Sequence, residues 1–391
     1  MKVCAISFKE CWQDQRGVWF SSGGFPTQMS AIASLFDEMT LLIVQGEQAS
    51  GGIPLPPAAR VIPLRGPSGV DTRRKFSVVA QLPYYLRELG RYIKHADVVH
   101  VPLPGDLPLL GLLVALAQRK PLIARYGGSW ASTSQTTLMN RVTKACLAGF
   151  AGGRNVMLAT GLGDRPPAKN MHWLFVSVIS QAELSSVRPD LDRNAQNPLQ
   201  LAYAGRLSEE KGVDILVRAL GLLRKEYDPS RIMPCLTIIG EGPQRAELAA
   251  MVASEGLGDI VRFTGQLNRA DLFQCLSGAD ICVLPSLTES FGKARLDAML
   301  CGVPVITTEV GFGREILGQD GERGWLVPSG DAFALADALR RAVAGPVQWP
   351  ALRRRCRHYA EGFILETWIQ NIGAICARQW GISLVEGKLQ V

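Results

Sequence analysis

The sequence predicts an α/β chain made of two parallel, doubly wound sheets. Three observations carry this. Short apolar runs alternate with helix-length amphipathic stretches along most of the chain, the pattern of βαβ units. The strand-like runs are apolar at successive positions rather than at every second one, as expected of strands covered by helices on both faces. With 391 residues, the chain exceeds the size at which a single core stops growing, so two units fit better than one.

In chain order, "KVCAISF" reads as a first buried strand rather than a signal peptide, since it carries one charge and a short apolar run. "PTQMSAIASLFDEM" (26–39) has helical spacing and "TLLIVQG" (40–46) is a strand. The stretch 76–96 is helical, with Pro83 expected to kink or split it. "DVVHVP" (97–102) is a strand, 107–118 a helix, and "PLIARYGG" (121–128) a strand running into a loop. The polar, Asn- and Pro-bearing segment 185–198 reads as a linker.

Beyond it the alternation sharpens. Strands are expected at 199–205, 235–240, 260–265, 280–286, 303–308 and 324–330, with helices at 212–227, 244–257, 269–279, 294–302 and 332–345. The last segment, "YAEGFILETWIQNIGAICARQW" (359–380), is one long helical pattern past the final strand. It reads either as a helix crossing back onto the first domain or as an ordinary terminal helix. The expected division is 1–188 for the first domain, with about 362–391 packing back on it, and 199–358 for the second.

Composition removes several function classes. Hydrophobic residues make up 47% and charged residues 20%, so the chain buries real cores and is not disordered. Nine cysteines show no CxxC spacing and only four histidines are present, which argues against a zinc site and for reduced cytosolic thiols. No stretch approaches the ~18 apolar residues of a membrane span. No metal and no cofactor is expected. Residues 1–200 carry 21 Lys/Arg against 13 Asp/Glu, a surplus of +8, while residues 201–391 carry 21 against 22, a balance of −1. A basic first half suits an anionic partner such as phosphate or anionic lipid, or is simply an idle basic surface.

Ligands of open parallel sheets bind past the carboxyl ends of the strands, so the strand-to-helix turns hold the candidates. "GRLSEEKG" places Arg206 and Lys211 at such a turn, two cations beside helix-start amides, a seat for a diphosphate. Lys211 reads equally as part of a solvated helix start. "GEGPQ" offers Gly240, Glu241 and Gly242, where glycines let the backbone approach a flat ligand. "ESFGKARLDAML" places Glu289 ahead of a tight turn at Gly292 and of free helix-start amides, with Asp297 about one turn inside the helix. Asp297 could equally be a helix-surface acid. In the first half, Gly23 and Gly24 of "SSGGFPTQ" permit close approach of a phosphate or sugar, but the spacing is not that of a dinucleotide fingerprint.

Four ordered blocks, "AGRLSEEKGVDIL", "IIGEGPQRAEL", "VRFTGQL" and "ADICVLPSLTESFGKARLDAMLCGVPVI", make residues 200–345 resemble the nucleotide-binding half of the retaining glycosyltransferases of family 4. The likeness continues more weakly through the Gly-Gly loop, the 97–102 strand and the closing helix. It implies two Rossmann-like doubly wound domains facing a cleft, the GT-B arrangement. It implies that Arg206 and Lys211 hold the donor diphosphate, and that the 240–242 turn and the backbone near Leu267 bracket the base. Glu289 would contact the donor sugar hydroxyls, the amides of Ser290, Phe291 and Gly292 the sugar and phosphate, and Asp297, as last acid of the E-x7-E pattern, the ribose.

Two departures stand out. The second acid is Asp297 rather than Glu, one methylene shorter. Many relatives place a His on the loop where this chain has Tyr126, Gly127 and Gly128 after Arg125, so Arg125 and Tyr126 become candidates for contact with sugar or acceptor.

The implied reaction is metal-independent hexosyl transfer with retention, from a nucleoside-diphosphate sugar to a glycan or lipid-linked glycan acceptor, as in bacterial-type polysaccharide or glycolipid synthesis. Basic stretches at 71–76 and 87–96 beside Tyr84, Tyr85 and Tyr92 suit peripheral contact with an anionic membrane, on the inner face of the plasma membrane of a cytoplasmic enzyme. A soluble anionic acceptor is the rival. Nucleic acid is not an expected partner. Other readings of the same build are a two-domain sugar-nucleotide epimerase, a glycan phosphorylase, or a non-catalytic sugar-nucleotide binder.

Overall fold

In a computed structural model, residues 1–48, 52–68, 71–130, 136–163, 165–225, 233–344 and 347–390 are described, the side chains of 71–75 and 343–344 excepted. The basic run Arg73, Arg74 and Lys75 therefore lies outside the described side chains. The chain divides into two compact units, Met1–Val178 with Leu365–Val391, and Ile179–Ile364. Both are α/β and Rossmann-like.

The first unit is built on β1 (Lys2–Gln13), β2 (Trp19–Ser21), β3 (Glu38–Gln45), β4 (Ile53–Pro54), β5 (Ala59–Leu64), β6 (Val98–Leu103), β7 (Leu122–Tyr126), β8 (Asn155–Thr160) and β9 (Met171–Leu174). Its parallel strands run β5-β3-β1-β6-β7-β8-β9, and β2 and β4 add an antiparallel margin. Strand order reverses between β1 and β6.

The expected helix 26–39 stops at Ser34, because Glu38 and Met39 already pair in β3. Pro83 sits in the first turn of a new helix, Leu82–Lys94, separated at Gln81 from the preceding Asp71–Ala80. Proline is tolerated there because first-turn amides have no intrahelical partner. One face of the sheet forms a continuous core with Ile6, Leu42, Leu89, Val101, Leu112 and Ala124.

The second unit carries β10 (Gln200–Ala204), β11 (Cys235–Ile239), β12 (Val261–Gly265), β13 (Ile281–Leu284), β14 (Val305–Thr308) and β15 (Gly324–Val327). They are all parallel in the order β12-β11-β10-β13-β14-β15, with the reversal between β10 and β13. The segment expected as a linker is instead held into this unit. Asp280, fully buried, accepts the amides of Gln196 at 3.1 Å and Gln200 at 2.9 Å, and pairs with Arg353 at 2.8 Å and Arg193 at 3.3 Å. A buried carboxylate so surrounded fixes the polar chain around it.

The long terminal pattern is two helices, Trp349–Glu361 and Leu365–Trp380, and the division between units falls in the break. The second of these helices belongs to the first unit. Trp380 Nε1 donates to the Arg154 carbonyl at 3.0 Å, Gln379 to the Asn155 carbonyl at 2.7 Å, and a closing hairpin of β16 (Ser383–Val385) and β17 (Lys388–Gln390) ends beside it. Among the described residues no helix is long and apolar enough to cross a membrane.

Candidate functional site

The candidates of the second unit converge on the carboxyl ends of β10, β11 and β13, at the strand reversal. A pocket of about 550 Å³ opens there, with Gly205, Arg206, Gly240, Glu241, Leu267 and Asp297 in its wall. Its floor is backbone. The Gly205 amide donates to the Ile239 carbonyl at 3.0 Å and the Leu207 amide to the Glu241 carbonyl at 2.9 Å, which stitches the two turns together. A Cβ on Gly240, whose φ is +139°, would lie 1.9 Å from the Gly205 carbonyl, and one on Gly242 would lie 2.2 Å from that of Leu207. Only glycine fits this contact. Gly242 accordingly serves the join between the turns.

Arg206 is exposed at the rim. Lys211 lies in a short 3-10 turn, Glu209–Lys211, and its ammonium pairs with Glu289 Oε2 at 2.6 Å, the two side chains being 24% and 17% exposed. The pairing is built by the loop after β13, where the amides of Leu287 and Thr288 donate to the Glu210 carbonyl at 2.9 Å and 3.3 Å. Two groups that the resemblance assigns to the diphosphate and to the adjoining donor sugar thus pair with each other.

Past Glu289 the chain turns at Gly292, φ +80°, which begins the helix Lys293–Leu300. The Ser290 amide donates to Glu289 Oε1 at 3.1 Å. The Phe291 ring is buried among Phe312 and Phe363, so this residue offers backbone alone to a ligand.

Sequence reasoning missed two side chains of this helix. Arg295 is 1% exposed and donates to Thr307 Oγ1 at 2.9 Å and to the carbonyls of Phe291 at 3.2 Å and Val310 at 3.1 Å. Burial lowers its pKa to about 10, opposed by the charges of Glu289 and Glu315. It fixes the Ser-Phe-Gly turn from beneath. The available signal was an arginine amid otherwise apolar core positions. Lys293, one turn before Asp297, pairs with Asp297 Oδ2. Asp297 is 6% exposed, and its Oδ1 is buried without a hydrogen-bond partner among the described residues. It is therefore not a helix-surface acid. A buried carboxylate oxygen left open beside a pocket is an acceptor awaiting a donor.

Gly23, Gly24, Arg125 and Tyr126 belong to the first unit. Gly23 faces open space, while a Cβ on Gly24 would meet Val178 at 2.4 Å, so the second glycine serves packing. Arg125 donates to Gln28 Oε1 at 2.8 Å and lies 5.7 Å from the Trp368 ring, with its Nε buried and unpartnered among the described residues. Burial lowers its pKa to about 10. Tyr126 is 2% exposed, edge-on to Trp130 at 5.8 Å, and sits in the core rather than at a contact surface. Its hydroxyl is pushed up by burial. Beside Arg125, His100 is buried, bonded through Nδ1 to the Ile123 carbonyl at 3.0 Å, and its pKa falls to about 3 through burial and then the arginine charge.

Comparison with known proteins agrees with this geometry. Residues 190–363 match the family described as glycosyl transferases group 1. The D-inositol 3-phosphate glycosyltransferase of Jonesia denitrificans is 37% identical over 172 residues, 43% of this chain and 39% of that protein. The chain thus spans about two fifths of such relatives. Among solved structures, Anabaena HepE in complex with UDP has a TM-score of 0.69 at 20% identity, covering 97% of this chain and 100% of that one. Sucrose-phosphate synthase from Thermosynechococcus elongatus has a TM-score of 0.70 at 21% identity, covering 97% and 99%. At such identities these two report the fold, which is GT-B. The chain resembles the retaining GT-B glycosyltransferases of family 4.

Proposed function

We propose, from a chain that carries a glycosyl transferases group 1 module at residues 190–363 and has the GT-B fold, that it is a retaining glycosyltransferase. It moves a sugar from a nucleoside-diphosphate donor to a glycan or lipid-linked glycan. One observation carries the reading: the glycine-floored pocket of the second unit with the open Oδ1 of buried Asp297 in its wall. Ribose hydroxyls are the donors that oxygen lacks, and Gly240, Glu241 and Leu267 bracket the base.

Arg206 and Lys211 stabilise the diphosphate as it leaves, in the role that preorganised donors play toward developing charge. Lys211 reaches it by exchanging Glu289 for phosphate oxygens, which frees the Glu289 carboxylate for the hydroxyls of the donor sugar. The amides that open the helix Lys293–Leu300 add their dipole to the same charge. The leaving phosphate takes the acceptor proton, so the acceptor attacks from the face the diphosphate leaves. The two cations do what a divalent ion does elsewhere, and the reaction needs none.

Contact with an anionic membrane is supported by the helix Leu82–Lys94, which exposes Arg87, Arg91 and Lys94 as well as Leu82 and Leu86, and by exposed Phe76 and Val79 just before it. Such contact suits a cytoplasmic enzyme at the inner leaflet, working on a lipid-borne glycan.

A thermal-shift screen of nucleoside diphosphates and their sugars tests the donor assignment, with UDP first because HepE is seen with it. A ligand at about 100 times its Kd adds ~2.7 kcal/mol to the stability of the unit that holds it. A rise in Tm with one base, and consumption of its sugar conjugate when glycans are added, is the expected result. No shift with any nucleoside diphosphate overturns the reading.

A further inference from the structure

The basic surplus of the first half gathers in one recess, and it lies at the amino ends of the first sheet's strands. A pocket of about 310 Å³ opens there between the sheet and the last turn of the helix Leu82–Lys94. Lys2 opens β1, Glu38 opens β3 and Arg60 is the second residue of β5. Lys2 stands opposite Glu38, and Thr40 stands opposite both Cys4 and Arg60, so these side chains share the face that the helix covers. From the helix side come Arg91, Tyr92 and His95. Substrate crevices of such sheets lie at the opposite, carboxyl ends.

The charges in this wall are not balanced from within. Glu38 is answered by the Lys2 ammonium at 2.9 Å. Arg60 and Arg91 are both exposed, and neither has an ion-pair partner among the described residues. Arg91 lies 5.6 Å from the centre of the Tyr92 ring. That contact steadies the guanidinium and uses none of its N–H donors. Nor is Arg91 needed at the helix end, because Lys120 Nζ donates to the carbonyls of Lys94 at 2.8 Å and Ala96 at 2.7 Å. Two free guanidiniums thus flank a recess, one from the sheet and one from the helix. Each presents a fork that matches phosphate oxygens, and Thr40 adds a hydroxyl between them. A phosphate monoester carries a charge of about −1.5 to −2 at pH 7, which answers two cations where a carboxylate or a phosphodiester answers one.

We propose that this pocket binds a phosphate monoester, held by Arg60 and Arg91. Two sources share that chemistry: a lipid whose headgroup ends in a phosphate, and a free phosphorylated small molecule. The proposal goes beyond the donor reading and does not depend on it, since the pocket and the donor pocket belong to different units.

The test uses the full chain in two arms. In the first, glycerol 3-phosphate and glycerol are titrated calorimetrically. In the second, flotation is measured with phosphatidylcholine vesicles that carry equal charge as phosphatidic acid, a monoester, or as phosphatidylglycerol, a diester. The phosphate monoester binds above its control in at least one arm. Arg60→Gln and Arg91→Gln, at exposed positions that folding tolerates, each weaken that binding by about tenfold, the scale of one charge-assisted hydrogen bond. Binding of glycerol 3-phosphate without preference for phosphatidic acid assigns the pocket to a soluble ligand, and preference for phosphatidic acid assigns it to a lipid. No excess over the control in either arm overturns the proposal, as does binding that persists in the double variant. Binding lost in Arg206→Ala instead puts the phosphate in the donor pocket and overturns it too. The donor reading is followed separately by the thermal shift with nucleotides, which the Arg60 and Arg91 variants leave unchanged.

Discussion

The two sheets reverse strand order in the same way, between β1 and β6 in one and between β10 and β13 in the other, and each opens a pocket of similar volume at that point, about 520 and 550 Å³. The walls differ in kind. In the second unit the wall is largely backbone, with glycines so close to neighbouring carbonyls that no side chain fits. Arg206 stands at its rim, and Lys211 is held by Glu289 on the loops beside it. In the first unit the described part of the wall is largely side chain, with Phe8, Glu10, Gln45, Ser68, Tyr85 and Asp106 in it. Topology sets where a ligand sits, and the residues at the strand ends set which ligand it is. A flat, charged ligand suits a bare peptide surface with movable cations.

The largest effect expected from breaking this contrast lies with the cations. Arg206→Ala and Lys211→Ala each lower turnover by about 100-fold or more, the cost of losing one charge-stabilising donor. Lys211→Ala also leaves Glu289 without its partner at 2.6 Å, so it should raise the donor KM further than Arg206→Ala does. Steady-state kinetics with the donor found in the nucleotide screen measure both. Near-wild-type turnover in both variants would remove the diphosphate role from the second unit and dissolve the contrast.

Acid comes next, through His100 of the first unit. His100 titrates at about 3 in the folded protein, below its ordinary 6.5. The unfolded chain therefore binds the proton that the folded chain refuses. The neutral ring leaves stability intact above pH 6.5, and stability falls as pH drops from there toward 3, by up to about 1.4 kcal/mol per pH unit. Thermal unfolding scanned from pH 7 to 5 should lose Tm, and His100→Gln should flatten that slope. An equal slope in the variant would show that other groups govern acid sensitivity.

Much of this was legible in sequence, and for a physical reason. Strands buried on both faces must be apolar throughout, and turns that carry backbone against backbone must be glycine, so β10 to β15 and the Gly240 turn announce themselves. The strands β8 and β9 and the helix Leu138–Phe150 were not read, since "NVMLAT" and "MHWLFV" are short and lack strong helical neighbours. The break at Gly362 was hidden because helical spacing runs on across it. At the site, the residue types were readable and their pairings were not. Nothing in the spacing shows that Lys211 meets Glu289 across 78 residues, or that Asp297 turns one oxygen inward. The pocket of the first unit was missed because its wall is gathered from residues far apart in the chain, from Phe8 to Asp106.

The smallest effect sharpens the nucleotide side. Lys293 and Asp297 are four residues apart with the cation first, the less favourable order for a helix. Because Asp297 is buried, Lys293→Met leaves its carboxylate without that partner and should lower stability by about 1–3 kcal/mol. The pair matters for position: the ammonium holds Oδ2, and the open Oδ1 stays in the pocket wall. Releasing it lets a carboxylate one methylene shorter than the family's usual acid turn away from the ligand. Nucleoside diphosphate binding should then weaken by about three- to tenfold, on the scale of one hydrogen bond to a charged group. The loss should shrink for the 2′-deoxy and 3′-deoxy analogues, which offer Asp297 fewer hydroxyls. Calorimetric titration of the three nucleotides into both proteins measures it. Wild-type protein that binds all three alike would mean that Asp297 holds no ribose hydroxyl, and its open oxygen would need another partner.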